Sequence, residues 1–274
     1  VYGYCMKIKK IDYKILIILL IFYMFHNLLA NYLFTINFFS PITSYTNAII
    51  NDTFIVNLIG LAGSLFIIFM IGKHNLGSIW FNKHKLKIAI LSITSIWLIS
   101  QILIIALLYF DKKEIIFYKN YNVIIGDIIA QLFGNALLEE VIFRGILIIQ
   151  LYLIFITKNS NRLTIIYSLA ISAIIFALSH IPNRIFIYTP GNLIVDTMGL
   201  LFGSTLFGII FLKTKNLPFV IGFHALFNFP RIIETNIPVE PIIIILIIIT
   251  TYNWNNIFGK EEEYLLPKAE PQNI

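Results

Sequence analysis

Leu137-Leu138-Glu139-Glu140-Val141-Ile142-Phe143-Arg144-Gly145 places three ionisable side chains within six residues, flanked by the apolar runs Val123–Ala130 and Ile146–Ile156. If the segment crosses a bilayer, each charge at mid-membrane costs roughly 2.5–3.5 kcal/mol on insertion scales. Such residues are rare in spanning helices and mark functional sites. The reading of this stretch therefore turns on what solvent the chain is built for.

The composition answers lipid. Of 274 residues, 58% are hydrophobic and 12% charged, about half the charged share of a soluble domain. The single cysteine, Cys5, excludes an intrachain disulfide and a cysteine zinc site. The net charge of +6 belongs to loops at a membrane surface, and no nucleic-acid partner is expected. The abundance of Ile, Phe, Asn, Lys and Tyr has the pattern of AT-rich coding and points to a bacterial plasma membrane. Val1 opens the sequence and Met6 precedes a Lys-rich stretch, so a start at Met6 is an alternative to one at Val1. Ile15–Phe25 has the length of a signal-peptide core, but no small-residue cleavage site follows, and it reads as an uncleaved first span.

A spanning helix needs about 20 mostly apolar residues. On that rule the chain is an all-α polytopic membrane bundle, one domain over 1–274. Eight spans are expected, at Ile15–Phe38, Phe54–Ile71, Ile88–Phe110, Val123–Ile156, Leu163–Ile181, Leu193–Leu212, Leu217–Ile233 and Ile237–Trp254. The fourth is too long for one straight crossing, and Gly126 or Gly134 is the expected place for it to bend. With the N-terminus inside, fourteen of the Lys and Arg residues fall in inner segments: Lys7, Lys9, Lys10, Lys14, Lys73, Lys83, Lys85, Lys87, Lys158, Arg162, Lys213, Lys215, Lys260 and Lys268. Five fall outside: Lys112, Lys113, Lys119, Arg184 and Arg231. That asymmetry makes both termini cytoplasmic, and it turns the site toward the outer half of the bilayer or its middle. Asn31–Thr53 reads as an outer loop or short interfacial piece, and the polar tail 260–274 as a solvated end.

Within the fourth span, Glu140 and Arg144 stand four residues apart in the favourable acid-before-base order and can neutralise each other. Glu139 points about 100° away and lacks such a partner. It is the carboxylate left for chemistry, suited to act as a general base. Asp127, Gln131, Asn135 and Glu139 follow at four-residue steps, a polar stripe for a cavity wall. For Gln131 and Asn135, helix–helix hydrogen bonding is the expected role. His180 closes the fifth span in Phe176-Ala177-Leu178-Ser179-His180-Ile181-Pro182. His224 and Asn228 lie four residues apart on one face of the seventh, where the amide can donate to the same point as the imidazole. His26, His74 and His84 receive no role.

Glu-Glu-x-x-x-Arg, Phe-x-x-x-His and His-x-x-x-Asn, in that order on three apolar helices, resemble the CPBP (Abi, CAAX-protease-like) intramembrane proteases, a group that includes the type II CAAX prenyl endopeptidases. The resemblance covers roughly 126–229. It implies that Glu139 activates water with help from His180, that His224 and Asn228 stabilise the oxyanion, and that Glu140 and Arg144 hold and tune the first motif. It also implies either a metal-independent glutamate protease or a metalloprotease, in which zinc would sit on Glu139, His180 and His224, the ligand count of a catalytic zinc site. The expected partners are the lipid bilayer and a peptide or membrane-protein substrate. For bacterial members the resemblance points to bacteriocin or pheromone peptide handling and self-immunity.

Two rivals stand beside an endopeptidase. One is a non-proteolytic immunity or regulatory protein that binds a partner through the same helical core. The other is a proton-relay transporter, disfavoured because no inverted repeat is apparent. Ser179 beside His180 does not make a serine triad, since helix neighbours point apart. Gly199 and Gly203 form a small-x-x-x-small pattern expected for close helix packing, and Asp196 is expected to cap its helix.

Overall fold

The computed structural model describes residues 10–72, 83–156, 160–184, 189–229 and 232–259. The start at Val1 or Met6, Lys7, Lys9, Lys73, His74, Lys158, Arg231 and the tail 260–274 lie outside the described residues. The architecture is a helical bundle: α1 Tyr13–Thr35, the short α2 Ser40–Tyr45, α3 Asp52–Phe66 running on as a π-helical turn to Ile71, α4 Lys83–Phe110, α5 Tyr121–Ala130, α6 Ala136–Glu140, α7 Ile149–Phe155, α8 Asn161–Ser179, the short α9 Ile181–Arg184, α10 Pro190–Thr214, α11 Leu217–Asn228, α12 Glu240–Tyr252 and α13 Trp254–Phe258. The starts carry their own chemistry. The side chains of Asp12, Asn51, Thr189 and Asn216 accept backbone N–H bonds at the N-termini of α1, α3, α10 and α11, satisfying donors that the first helical turn leaves unpaired.

Among the described residues five helices are long and apolar enough to cross a membrane: Tyr13–Thr35, Asp52–Ile71, Lys83–Phe110, Asn161–Ser179 and Pro190–Thr214. The fourth expected span is one unbroken run, Tyr121–Phe155, in which π-helical stretches at Gln131–Asn135 and Val141–Ile148 separate α5, α6 and α7. The seventh and eighth are shorter than expected. α11 has 12 residues and α12 has 13, about 18 and 20 Å at 1.5 Å per residue, against a hydrocarbon core of about 30 Å. Pro218 and Pro241 sit in the first turns of these helices, where a missing N–H is harmless, and α11 is short because it stops at Asn228. Of the eight expected spans, five are long helices, one is the interrupted run and two are short helices.

The interrupted run is the axis of the bundle. Every residue from Leu138 to Gln150 is buried, so the charges of the first motif face protein and not lipid. The outward faces of α1 (Ile17, Ile21, Phe25), α4 (Ile90, Ile102) and α10 (Ile194, Val195, Phe202) are exposed and apolar, as a lipid-facing surface requires. A two-residue antiparallel ladder, β1 Ile116–Phe117 on β2 Ile233–Glu234, ties the connection after α4 to the one after α11.

The glycines divide by what a side chain would meet. In the run, regular α geometry gives way at the segment holding Gly134, where the Ala136 N–H bonds to the Gln131 carbonyl five residues back. Gly126 has a different task, since a Cβ there would lie 2.0 Å from the Ala48 carbonyl oxygen. Gly199 and Gly203 do not pack: a Cβ at either meets nothing within 4 Å. They line a cavity, which corrects the expectation of a helix-packing stripe. The close approach on α10 is made by Gly208, against Leu169 and Ile148. Asp196 also departs from expectation. Thr189 caps α10, while Asp196 pairs with Arg184.

Gly126→Ala will destabilise the bundle by about 1–3 kcal/mol, the usual cost of forcing atoms into filled space, because the obstacle is backbone. Thermal unfolding in detergent will show a lowered melting temperature, while Gly199→Ala leaves it unchanged.

Candidate active site

The Glu140–Arg144 pair forms as the spacing requires, with Nη1 to Oε1 at 3.0 Å and both side chains fully buried. Arg144 does more than neutralise its neighbour. Its Nη2 donates to the carbonyl oxygen and hydroxyl of Ser204 on α10, each at 3.0 Å. Its guanidinium lies between the rings of Phe176 on α8 and Phe207 on α10, 4.8 and 5.2 Å from their centroids. Planar delocalised charge suits such stacking. One residue thereby joins the central run to two other helices.

Glu140 is shared as well. Its Oε1 also stands 2.7 Å from Nδ1 of His224, so the pair spans the gap between the central run and α11. With Nδ1 committed, His224 turns Nε2 toward Glu139, 3.7 Å from Oε2. His180, the residue that ends α8, has Nδ1 2.8 Å from the Phe176 carbonyl and Nε2 3.4 Å from Oε1 of Glu139. The two imidazoles are held alike: one nitrogen is fixed by a neighbour and the other faces a different oxygen of Glu139. The expectation of a partnerless Glu139 is corrected in this respect. It lacks a partner on its own helix but faces both histidines across the cavity.

Glu139, His180 and His224 are each 5–6% exposed, and all three line a cavity of about 500 Å³. Asn135, Gly199, Gly203, Ser204, Phe207 and Asn228 share its wall. The polar stripe of the central run splits in two. Asp127 accepts from the Asn51 amide and Gln131 from the Asn228 amide, at 3.0 and 2.8 Å, while Asn135 and Glu139 face the cavity. Asn228 thus spends one N–H on Gln131; a carboxamide has a second to offer. The Ser179 hydroxyl donates to the Phe176 carbonyl at 2.7 Å and is not among the cavity-lining groups. His84 opens α4 on the exposed surface, and His26 is buried against Gly60 of α3, away from the cavity.

The mouth of the cavity is formed by Asn31 and Phe34 late in α1, Thr53 early in α3, Arg184, Asp196 early in α10, and Asn228 at the end of α11. By chain direction these all belong to one end of the bundle. The opposite end carries Lys10, Lys14, Lys83, Lys85, Lys87, Arg162, Lys213 and Lys215 among the described residues.

Ser204, Phe207, Tyr23 and Asn27 were not singled out from sequence. A serine, two aromatics and an asparagine in apolar helices carry no motif; only the packing identifies them.

A buried carboxylate held between two imidazoles, with amide donors in the same hollow of a membrane-type helical bundle, is the equipment of a hydrolase that works on carbonyl groups. Residues 121–230 match the family described as Type II CAAX prenyl endopeptidase Rce1-like. That match supports the resemblance to the CPBP/CAAX protease-like proteins over this part of the chain. No curated protein and no solved structure matches.

Glu140→Ala will cost about 3–5 kcal/mol, the penalty for stranding a fully buried charge, because Arg144 loses its carboxylate while enclosed between two rings. Glu139→Gln will cost far less. Melting temperatures of the two variants in the same detergent check the contrast.

Proposed function

We propose that the chain is an intramembrane endopeptidase in which Glu139 is the general base. A water between Glu139 and the two Nε2 atoms gives its proton to the carboxylate and attacks the scissile carbonyl carbon. The new C–O bond leaves negative charge on the carbonyl oxygen, which the His224 and Asn228 N–H groups can receive. Collapse of this intermediate breaks the C–N bond, and the proton taken by Glu139 passes to the leaving amine by way of His180. With both ring nitrogens of His224 protonated, the formal charges of Glu139, Glu140, Arg144 and His224 sum to zero, which suits a buried site. The observation that carries this reading is the facing of each Glu139 oxygen by a different imidazole nitrogen inside one cavity.

Among the described residues no three His, Cys, Asp or Glu side chains are disposed to hold a metal ion. Glu139 faces His180 at 3.4 Å and His224 at 3.7 Å, and no step is routed through zinc.

The lysine-poor end of the bundle holds the cavity mouth, so the positive-inside rule puts both termini in the cytoplasm and opens the site outward. On that basis the substrate is a peptide, or a segment of a membrane-associated protein, at the outer face. Bacteriocin or pheromone handling and self-immunity are uses of such an activity in a bacterial plasma membrane. The mouth also offers room for an extended chain, since Gly199 and Gly203 leave a trough where side chains would otherwise stand.

Glu139→Gln will lower cleavage by about 10²–10⁴, the usual worth of a positioned base, read as new peptide termini by mass spectrometry. Gly203→Leu will abolish cleavage without lowering the melting temperature, because its side chain fills the trough and displaces nothing. Full activity in Glu139→Gln would sink the protease reading. Loss of activity on removing one bound equivalent of zinc, with recovery on its return, would replace the metal-free scheme. Single cysteines at Asn31 or Thr53 in a Cys5→Ser background will react with an impermeant thiol reagent added outside intact cells.

A further inference from the structure

Ser204 on α10 is 3% exposed and lines the cavity beside Gly203 and Phe207. Its hydroxyl is bonded unlike those of Ser64, Ser92, Ser168 and Thr214, which are also buried. Each of these donates to the carbonyl four residues back on its own helix, at 2.7–2.8 Å. Thr205, the neighbour of Ser204, does the same to Leu201. Ser204 does not. Among the described contacts its Oγ makes one hydrogen bond, and in that bond it accepts, from Nη2 of Arg144 at 3.0 Å. The main-chain carbonyl of Ser204 accepts from the same nitrogen, also at 3.0 Å. A serine hydroxyl has one O–H and two lone pairs. One lone pair is engaged by the guanidinium, and the proton is left to donate.

We propose that Ser204 is a substrate-binding residue, donating its O–H to a main-chain carbonyl oxygen of the bound peptide next to the carbonyl that is attacked. The proposal rests on the endopeptidase reading above and extends it to how the substrate is held. A buried donor left without an acceptor costs free energy, and the acceptors that a peptide carries into such a hollow are its carbonyl oxygens. Arg144 strengthens the donor. A hydroxyl that accepts from a cation is polarised, and linked hydrogen bonds reinforce one another in a low-dielectric interior. Position selects which carbonyl is held. Phe207, one turn beyond Ser204, packs its ring 4.8 Å from the imidazole of His224. The oxyanion donors His224 and Asn228 both belong to α11, so Ser204 on α10 serves a flanking peptide unit. The preceding residue is Gly203, where an added Cβ would meet nothing within 4 Å, so the hydroxyl borders the open trough in which an extended chain fits.

The test uses the full chain in liposomes with a peptide that the unaltered chain cuts. Ser204→Ala removes the hydroxyl and leaves Nη2 of Arg144 its main-chain acceptor. The expected result is a rise in KM of about 10-fold, the worth of one hydrogen bond to a polarised donor. A contact made equally in the bound and transition states moves KM and not kcat, so kcat stays within twofold, and the melting temperature is unchanged. Ser204→Thr keeps a hydroxyl on the same Cβ and restores KM. Binding is also read without turnover, as the fluorescence anisotropy of the labelled peptide on Glu139→Gln, where adding Ser204→Ala weakens Kd by the same factor. KM and Kd within twofold of their unaltered values would overturn the proposal. So would a loss confined to kcat, or one joined to a fall in melting temperature that Ser204→Thr does not reverse. If Glu139→Gln fails to cleave while Ser204→Ala behaves as the unaltered chain, this proposal alone is lost. If Glu139→Gln cleaves normally, the endopeptidase reading falls and this proposal with it.

Discussion

A completely buried guanidinium is the constraint around which this bundle is assembled. Arg144 is 0% exposed, and an unpaired ion in such a setting would cost several kcal/mol. Its compensation comes from the central run itself through Glu140, from α10 through Ser204, and from the faces of Phe176 and Phe207. Three elements, the central run, α8 and α10, must be in place before the charge is compensated. The pair is consequently less a source of net stability than a condition of assembly, since a bundle with any of these elements displaced strands an ion in a low-dielectric interior. Function is attached to the same device. Glu140 accepts from Arg144 and also from His224, so the neutralising group orients the imidazole that faces Glu139.

The division of labour between adjacent glutamates follows from helical geometry. Two carboxylates side by side in sequence point about 100° apart, so one can be spent on structure while the other enters a cavity. Both are buried, but their surroundings differ. Glu140 is enclosed by a cation, a histidine and packed rings, and Glu139 stands at the wall of a polar hollow. The π-helical stretches on either side of α6 belong to this arrangement. They widen the turn, and π-bulges occur preferentially at functional sites. Here they bracket the five residues that present the acid pair.

Much of this was legible in the sequence. The solvent class followed from composition, the Glu140–Arg144 pair from i,i+4 spacing, and the candidate set Glu139, His180, His224 and Asn228 from motifs whose order the helices bring to one cavity. What sequence could not give was anything that depends on what a helix packs against. Gly199 and Gly203 have the spacing of a packing stripe, and only the position of neighbouring helices shows that they face a void. Asp196 has the location of a cap, and its pairing with Arg184 depends on where α9 ends. Helix length is hidden from sequence for a related reason. Hydropathy registers apolar residues wherever they are buried, so α11 and α12 score as spans although the chain is helical there for only 12 and 13 residues.

The short α11 also explains why the site is where it is. A helix of about 18 Å that carries His224 one turn from its end cannot place that residue at both the middle of the bundle and the middle of the bilayer unless the bundle is open above it. The opening is the cavity. Asn228, the last residue of α11, stands at its rim bonded to Gln131, and α8 likewise stops at His180, where Pro182 follows. The ends of α8 and α11, at the same end of the molecule, border the space that Glu139 overlooks. Where these helices end, a polar hollow opens onto a carboxylate that the rest of the fold buries.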